Sequence, residues 1–253
     1  IARREITITW SEKQLTYNGK EQAPTATAGN PVSGDVLTLT VTVEGEHKNA
    51  GTYTAQVTAI GGTGAANYAI PAANTKEFTI ARQGVARPTE DTTPYIYDGR
   101  EKTYSPVGFD AETMTISENH VRINAGTYSV IVSLKDKTNY EWKNESEALD
   151  GQDDIPFTFT IARQPIARPV VSGTYTYDGT PQNSNVVSCE QYTVTGNEKT
   201  NAGEYTLTVT PTENYCWEDL EGDAAKGSIT LTWTIARLEV AAPAIKREME
   251  YQN

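Results

Sequence analysis

The sequence predicts an all-β protein built from tandem antiparallel β-sandwich modules, and three recurrences lead there. Asn49-Ala50-Gly51-Thr52-Tyr53 returns as Asn124-Ala125-Gly126-Thr127-Tyr128 and as Asn201-Ala202-Gly203-Glu204-Tyr205, each time opening an alternating apolar/polar run. Tyr17-Asn18-Gly19 returns as Tyr97-Asp98-Gly99 and Tyr177-Asp178-Gly179, at intervals of 80 residues. Ile-Ala-Arg closes each unit, at Ile80-Ala81-Arg82, Ile161-Ala162-Arg163 and Ile235-Ala236-Arg237. A fixed period of this kind marks a repeated structural unit. The expected modules are 1–81, 82–162 and 163–237, with 238–253 as the start of a fourth. Ile1-Ala2-Arg3 likewise reads as the last strand of a preceding copy.

Within each copy the same signals follow one another. A first strand runs into the Tyr-Asn/Asp-Gly turn, which suits a tight hairpin because Asn-Gly and Asp-Gly accept positive φ. A middle strand follows, clearest where Leu37, Leu39, Val41 and Val43 alternate with Thr38, Thr40 and Thr42. That period of two puts aliphatics on one face and hydroxyls on the other. Met114 and Ile116, then Tyr192 and Val194, stand in the equivalent places. Next comes the strand headed by Tyr53, Tyr128 or Tyr205, then a loop with Asn67-Tyr68, Asn139-Tyr140 or Asn214-Tyr215. The closing strand supplies Phe78 and Ile80, Phe159 and Ile161, or Trp233 and Ile235. No window has the periodicity of an amphipathic helix, which weighs against a β-grasp arrangement.

The Asn-x-Gly-x-Tyr lead-in resembles the tyrosine corner of immunoglobulin-like sandwiches. In that corner the glycine (Gly51, Gly126, Gly203) permits a tight turn and the hydroxyl of Tyr53, Tyr128 or Tyr205 bonds back to upstream backbone. The expected fold is therefore a row of immunoglobulin-like domains. The sheet-to-sheet disulfide of antibody domains is missing, because Ala55, Val130 and Leu207 stand where its second cysteine would be. The two cysteines, Cys189 and Cys216, both fall in the third copy, and a bridge between them and a pair of free thiols are both open readings. Gln83-Gly84-Val85-Ala86-Arg87-Pro88 and Gln164-Pro165-Ile166-Ala167-Arg168-Pro169 join the copies without a Gly/Ser tether. With Pro fixing φ, this predicts a semi-rigid rod on the order of 100 Å long.

A formal charge of −12 gives no basic footprint for phosphate, so nucleic acid is excluded as a partner. No apolar run approaches the roughly 20 residues that span a bilayer, so the segment is not expected to insert in a membrane. His47 and His120 lie in separate copies and lack cysteine partners, which gives no metal site. Asp150, Asp153 and Asp154, and likewise Glu218, Asp219, Glu221 and Asp223, cluster in late loops without the spacing of a calcium loop. They read as solvated acids. Gly61-Gly62-Thr63-Gly64 lacks the lysine of a phosphate loop, and no nucleophile motif occurs, so no catalytic residue and no cofactor is expected.

Tyr-Asp-Gly near the start, Asn-Ala-Gly-Thr-Tyr before the long strand, Asn-Tyr in the late loop and Phe-Thr-Ile at the end resemble the MBG/YDG-type repeat domains of bacterial surface proteins. The resemblance covers three full copies. It implies an extracellular or cell-wall-anchored, adhesin-like protein whose repeats act as stalk or binding modules, monomeric within a longer array. It carries no shared catalytic residues. Two further readings stay open: direct binding of a host protein such as an immunoglobulin or mucosal glycoprotein, and a carbohydrate-binding accessory module. The candidate binding residues are Tyr140 with Trp142 and Tyr215 with Trp217, whose spacing of two puts each pair on one strand face as an aromatic platform. A purely structural role, capping one end of the sandwich, is the alternative for the same four.

Overall fold

The computed structural model describes residues 1–144, 146 and 148–244, so part of the expected fourth copy, 245–253, lies outside the described residues. The chain is all-β, with 45% of it in strands and three single 3-10 turns as its helical content among the described residues. Among the described residues none of these turns is the packed helix that a β-grasp arrangement needs. Residue contacts gather into two compact units: Ile1–Asp91 with Tyr104–His120 and Ser129–Phe157, and Thr92–Thr103 with Val121–Tyr128 and the chain from Thr158 onward.

In the first unit a four-stranded sheet has the order Leu15–Thr16, Thr75–Ala81, Gly51–Gly62, Leu37–Val43. Leu37–Val43 runs antiparallel to Gly51–Gly62 with a register shift between Thr40 and Val41, a bulge that bends the strand. Its aliphatics are half-buried and its threonines exposed, as the alternation requires. Ala55, Phe78 and Ile80 form the core, with Trp10, Leu15, Tyr17, Val41, Val43 and Tyr53 packed around them. The same unit holds a second cluster, Met114, Val132, Leu134 and Trp142, flanked by Val85, Phe109 and Tyr140. Gln83–Ala86 pairs in parallel with Tyr140–Lys143 and brings Val85 opposite Trp142.

In the second unit the order Tyr175–Thr176, Ile229–Ala236, Gly203–Pro211, Tyr192–Thr195 repeats the pattern. Leu207, Val209, Trp217, Trp233 and Ile235 are buried there. Tyr95–Ile96 pairs in parallel with Ile161–Ala162, and Tyr175–Thr176 with Ile235–Ala236.

Two expectations change in detail. The Tyr-Asn/Asp-Gly turn is not a hairpin, and the sheets are mixed, not purely antiparallel. The short strand before the turn lies parallel to the closing strand of its own copy, as Leu15–Thr16 does to Ile80–Ala81. After the turn the chain joins a different sheet: Lys102–Thr103 pairs with Val121–Arg122, and Gln182–Asn183 with Glu198–Lys199. The turn chemistry is nevertheless as expected. Gly19, Gly99 and Gly179 have φ of 74°, 76° and 84°. The side-chain oxygens of Asn18, Asp98 and Asp178 each accept the backbone N–H two residues on at 2.9 Å, closing an Asx turn.

Candidate functional site

All three corners are built alike. The hydroxyls of Tyr53, Tyr128 and Tyr205 donate to the carbonyls of Asn49, Asn124 and Asn201 at 2.9, 2.8 and 2.7 Å. Each tyrosine ring also leans on an aromatic of the closing strand: Tyr53 on Phe78, Tyr128 on Phe159, Tyr205 on Trp233, with ring centres 5.4 to 5.7 Å apart. The glycine's role differs from expectation. Gly203 needs no left-handed backbone, and its contribution is room: a Cβ there or at Gly126 would stand 3.2 Å from the tyrosine hydroxyl, and at Gly51 3.5 Å. Glycine lets the ring fold back over the strand so that the hydroxyl reaches the carbonyl.

The corner in turn offers a second edge, which the following copy grips. Asn139, 4% exposed, accepts the N–H of Ala50 at its side-chain oxygen (2.7 Å) and donates from its amide nitrogen to Asn49 Oδ1 (3.1 Å) and Asp136 Oδ2 (2.7 Å). In the second unit Asn214 does the same to Ala125 N–H (2.8 Å) and Asn124 Oδ1 (3.1 Å). The sequence separations are identical, 89 and 90 residues in each case. The tyrosine beside each clasping asparagine meets, edge to face, the tyrosine of the preceding copy's Tyr-Asn/Asp-Gly turn: Tyr140 on Tyr17 and Tyr215 on Tyr97, both at 5.5 Å. Arg82 and Arg163, from the closing Ile-Ala-Arg, add guanidinium bonds to the carbonyls of Thr138 and of Thr212 and Tyr215. The recurring residues that looked like internal fold signatures are thus also the contacts between one copy and the next.

Burial accounts for the electrostatics here. Desolvation pushes the phenols of Tyr140 and Tyr215 above their ordinary value, helped by Tyr17 and Asp136 around the first and by Glu190 and Tyr97 around the second.

The aromatic platform expected from Tyr140, Trp142, Tyr215 and Trp217 is not exposed. Trp142 and Trp217 are fully buried, with their indole N–H groups donating to Asp153 O (2.7 Å) and Gly227 O (2.9 Å). Tyr215 is buried as well. Parallel pairing of each strand with the incoming linker strand turns that face into the core, so the four residues cap and join copies. The spacing of two correctly put each pair on one face, but that face is the inner one.

Cys189 and Cys216 are free thiols. Tyr215 and Trp217 point inward, so Cys216 between them points the opposite way, its sulfur 3.9 Å from Arg163 O. Cys189 lies exposed ahead of the edge strand Tyr192–Thr195. Cys216 and Arg163 line a groove of about 510 Å³ whose other walls include Gly126, Thr127, Ile161, Leu220 and Lys226. In the acidic loops Asp150 pairs with Arg87 at 3.0 Å, Asp154 with Lys137 at 2.8 Å, and Asp219 with Arg168. His47 and His120 each donate from Nδ1 to a carbonyl of their own turn, Gly45 and Ser117. Among the described residues no group of three or more histidine, cysteine or acidic side chains is arranged to hold a metal ion, and no helix is long and apolar enough to cross a membrane.

No protein-family profile matches the chain. No curated protein sequence matches it either. A solved structure similar to it is that of SGBP-B of the Bacteroides ovatus mixed-linkage glucan utilization locus, in complex with a mixed-linkage heptasaccharide. It is 9% identical, with 91% of this chain and 70% of that one covered, at a TM-score of 0.16. At that score the likeness carries no argument.

Proposed function

We propose that the chain is a non-enzymatic segment of a bacterial surface protein of the MBG/YDG repeat type, in which immunoglobulin-like modules 1–81, 82–162 and 163–237 follow one another as spacer and presenting elements. The carrying observation is the asparagine clasp, made twice with the same partners and the same sequence separation. A chain that spends its recurring residues on gripping the preceding copy is specified for orderly tandem arrangement. The recurrent aromatics, spent inside the fold, leave no stacking surface for a sugar ring at Trp142 or Trp217. The extracellular setting and adhesin-like context come from the family resemblance.

The test is capture of partners from serum and from mucus with the whole chain immobilised. A spacer retains no protein above the level of a blank support. Saturable, stoichiometric retention of one host protein would replace this reading with direct host binding.

A further inference from the structure

We propose that Asn18 is a self-modifying site: in the folded chain its side-chain amide is lost to attack by the backbone nitrogen of Gly19, leaving an aspartate where the second and third copies already carry Asp98 and Asp178. Its chemistry is independent of whether the chain serves as a spacer or binds a host protein.

The first copy alone places an asparagine in the Tyr-Asn/Asp-Gly turn, and Asn18-Gly19 is the one Asn-Gly pair in the sequence. Both residues are exposed. Asn18 Oδ1 accepts the Lys20 N–H at 2.9 Å, which folds the side-chain carbonyl back over the Asn18–Gly19 peptide and polarises it. In such a turn the side chain mimics the first peptide of a β-turn, so Cγ is held close to the Gly19 nitrogen, the geometry that intramolecular attack requires. That nitrogen is not engaged elsewhere: among the described residues the Gly19 N–H donates to no acceptor. Nor is it screened. Gly19 has φ of 74°, and where a side chain would stand the nearest atom is the Tyr17 hydroxyl, 3.9 Å away.

The step needs only water. The Gly19 nitrogen gives up its proton and bonds to Asn18 Cγ, the Cγ–Nδ2 bond breaks, and Nδ2 leaves as ammonia with that proton, closing a succinimide. Water then opens the ring. Addition at Cγ breaks the bond just made and gives aspartate; addition at the main-chain carbonyl gives isoaspartate, with no change of oxidation state in either case. The aspartate product fits the fold, since Asp98 and Asp178 hold the same turn through 2.9 Å bonds from the Arg100 and Thr180 N–H groups. The isoaspartate product puts an extra methylene into the main chain beside Tyr17, whose ring meets Tyr140 edge to face at 5.5 Å, so its effect falls on the first junction and spares the second.

The experiment holds the whole folded chain in mildly alkaline buffer made with heavy-oxygen water, beside a free peptide of residues 14–22, and maps the label by mass spectrometry of digests. Label is expected at residue 18 at a rate within about tenfold of the peptide's, and about tenfold or more faster than at the exposed Asn67 and Asn185, where the side chains of Tyr68 and Val186 crowd the attacking nitrogen. Conversion of the peptide without label in the folded chain would overturn the proposal, because the fold would then protect Asn18. Label spread evenly over Asn18, Asn67 and Asn185 would overturn it too. Asn18→Gln, which must close a larger ring, should take up no label in the same time, and equal uptake there would contradict attack by Gly19. In the purified aspartate form the Lys20 amide shift should move on acidification as those of Arg100 and Thr180 do; a static shift would show that the converted residue does not rebuild the turn of the other two copies, and would also overturn it.

Discussion

The side-chain oxygen of Asn139 accepts the backbone N–H of Ala50 at 2.7 Å, across 89 residues of sequence, while its amide nitrogen bonds both Asn49 and Asp136. One buried side chain therefore satisfies a turn of the preceding copy and an acid of its own. Asn139→Ala leaves those groups unpaired and is expected to cost about 1–3 kcal/mol in urea unfolding. Asn139→Asp sets a carboxylate against the Asp136 carboxylate and should cost more at neutral pH, with part of the loss recovered on acidification. Asn214→Asp should be milder, because the Asn124 amide can turn to donate and the clasp there involves no carboxylate. Equal losses for the two aspartate variants would contradict this reading of the clasp.

The corner separates a hydrogen bond from a space requirement. Tyr128→Phe deletes the bond to Asn124 O and is expected to lower stability by about 0.5–1.5 kcal/mol. In Gly126→Ala and Gly203→Ala the new Cβ would stand 3.2 Å from the tyrosine hydroxyl, so the ring must give by a few tenths of an ångström, and both should cost more than Gly51→Ala, whose Cβ would meet the ring at an ordinary contact distance of 3.5 Å. Thermal melting of the variants checks the order.

Trp142 and Trp217 are core residues, and their truncation should be read as such. Trp142→Ala and Trp217→Ala are each expected to destabilise by about 3–5 kcal/mol, from the cavity and the lost indole bond. A variant that kept its unfolding midpoint would show the indole to be outside the core.

Acid should loosen the three Asx turns unequally. Asp98 is held below the ordinary carboxylate value, first by Lys102 and then by the Arg100 N–H, and Asp178 by the Thr180 N–H and hydroxyl. Both pKa values are depressed on folding, so the stabilisation they give is present above the ordinary value of 3.8 and is lost as pH falls through the lower folded value. Asn18 makes the equivalent bond to Lys20 with no titrating group. Amide shifts of Arg100 and Thr180 should therefore move below about pH 4, while that of Lys20 stays.

Much of the fold was legible because it depends on local patterns. The Leu37–Val43 alternation and the hydroxyl bonds of Tyr53, Tyr128 and Tyr205 are decided within a few residues of one another, and the 80-residue period needs only the sequence set against itself. The path after Asn18-Gly19 was not legible, since a left-handed glycine serves a hairpin or a change of sheet equally well, and distant strands decide which. Trp142 and Trp217 follow the same logic: a spacing of two fixes a shared face, and only pairing with Gln83–Ala86 or Gln164–Ile166 determines that it is the inner one. The clasp left a signal, an asparagine 90 residues after Asn49 and another 90 after Asn124, but its meaning needed a partner in a different copy.

Amide exchange at three equivalent alanines tests most directly whether recurring asparagines join successive copies. In the native chain Ala50 and Ala125 should exchange slowly and Ala202 fast, and Asn139→Ala should speed Ala50 while leaving Ala125 unchanged. A single common rate for the three amides, or an Ala50 rate indifferent to Asn139→Ala, would contradict it.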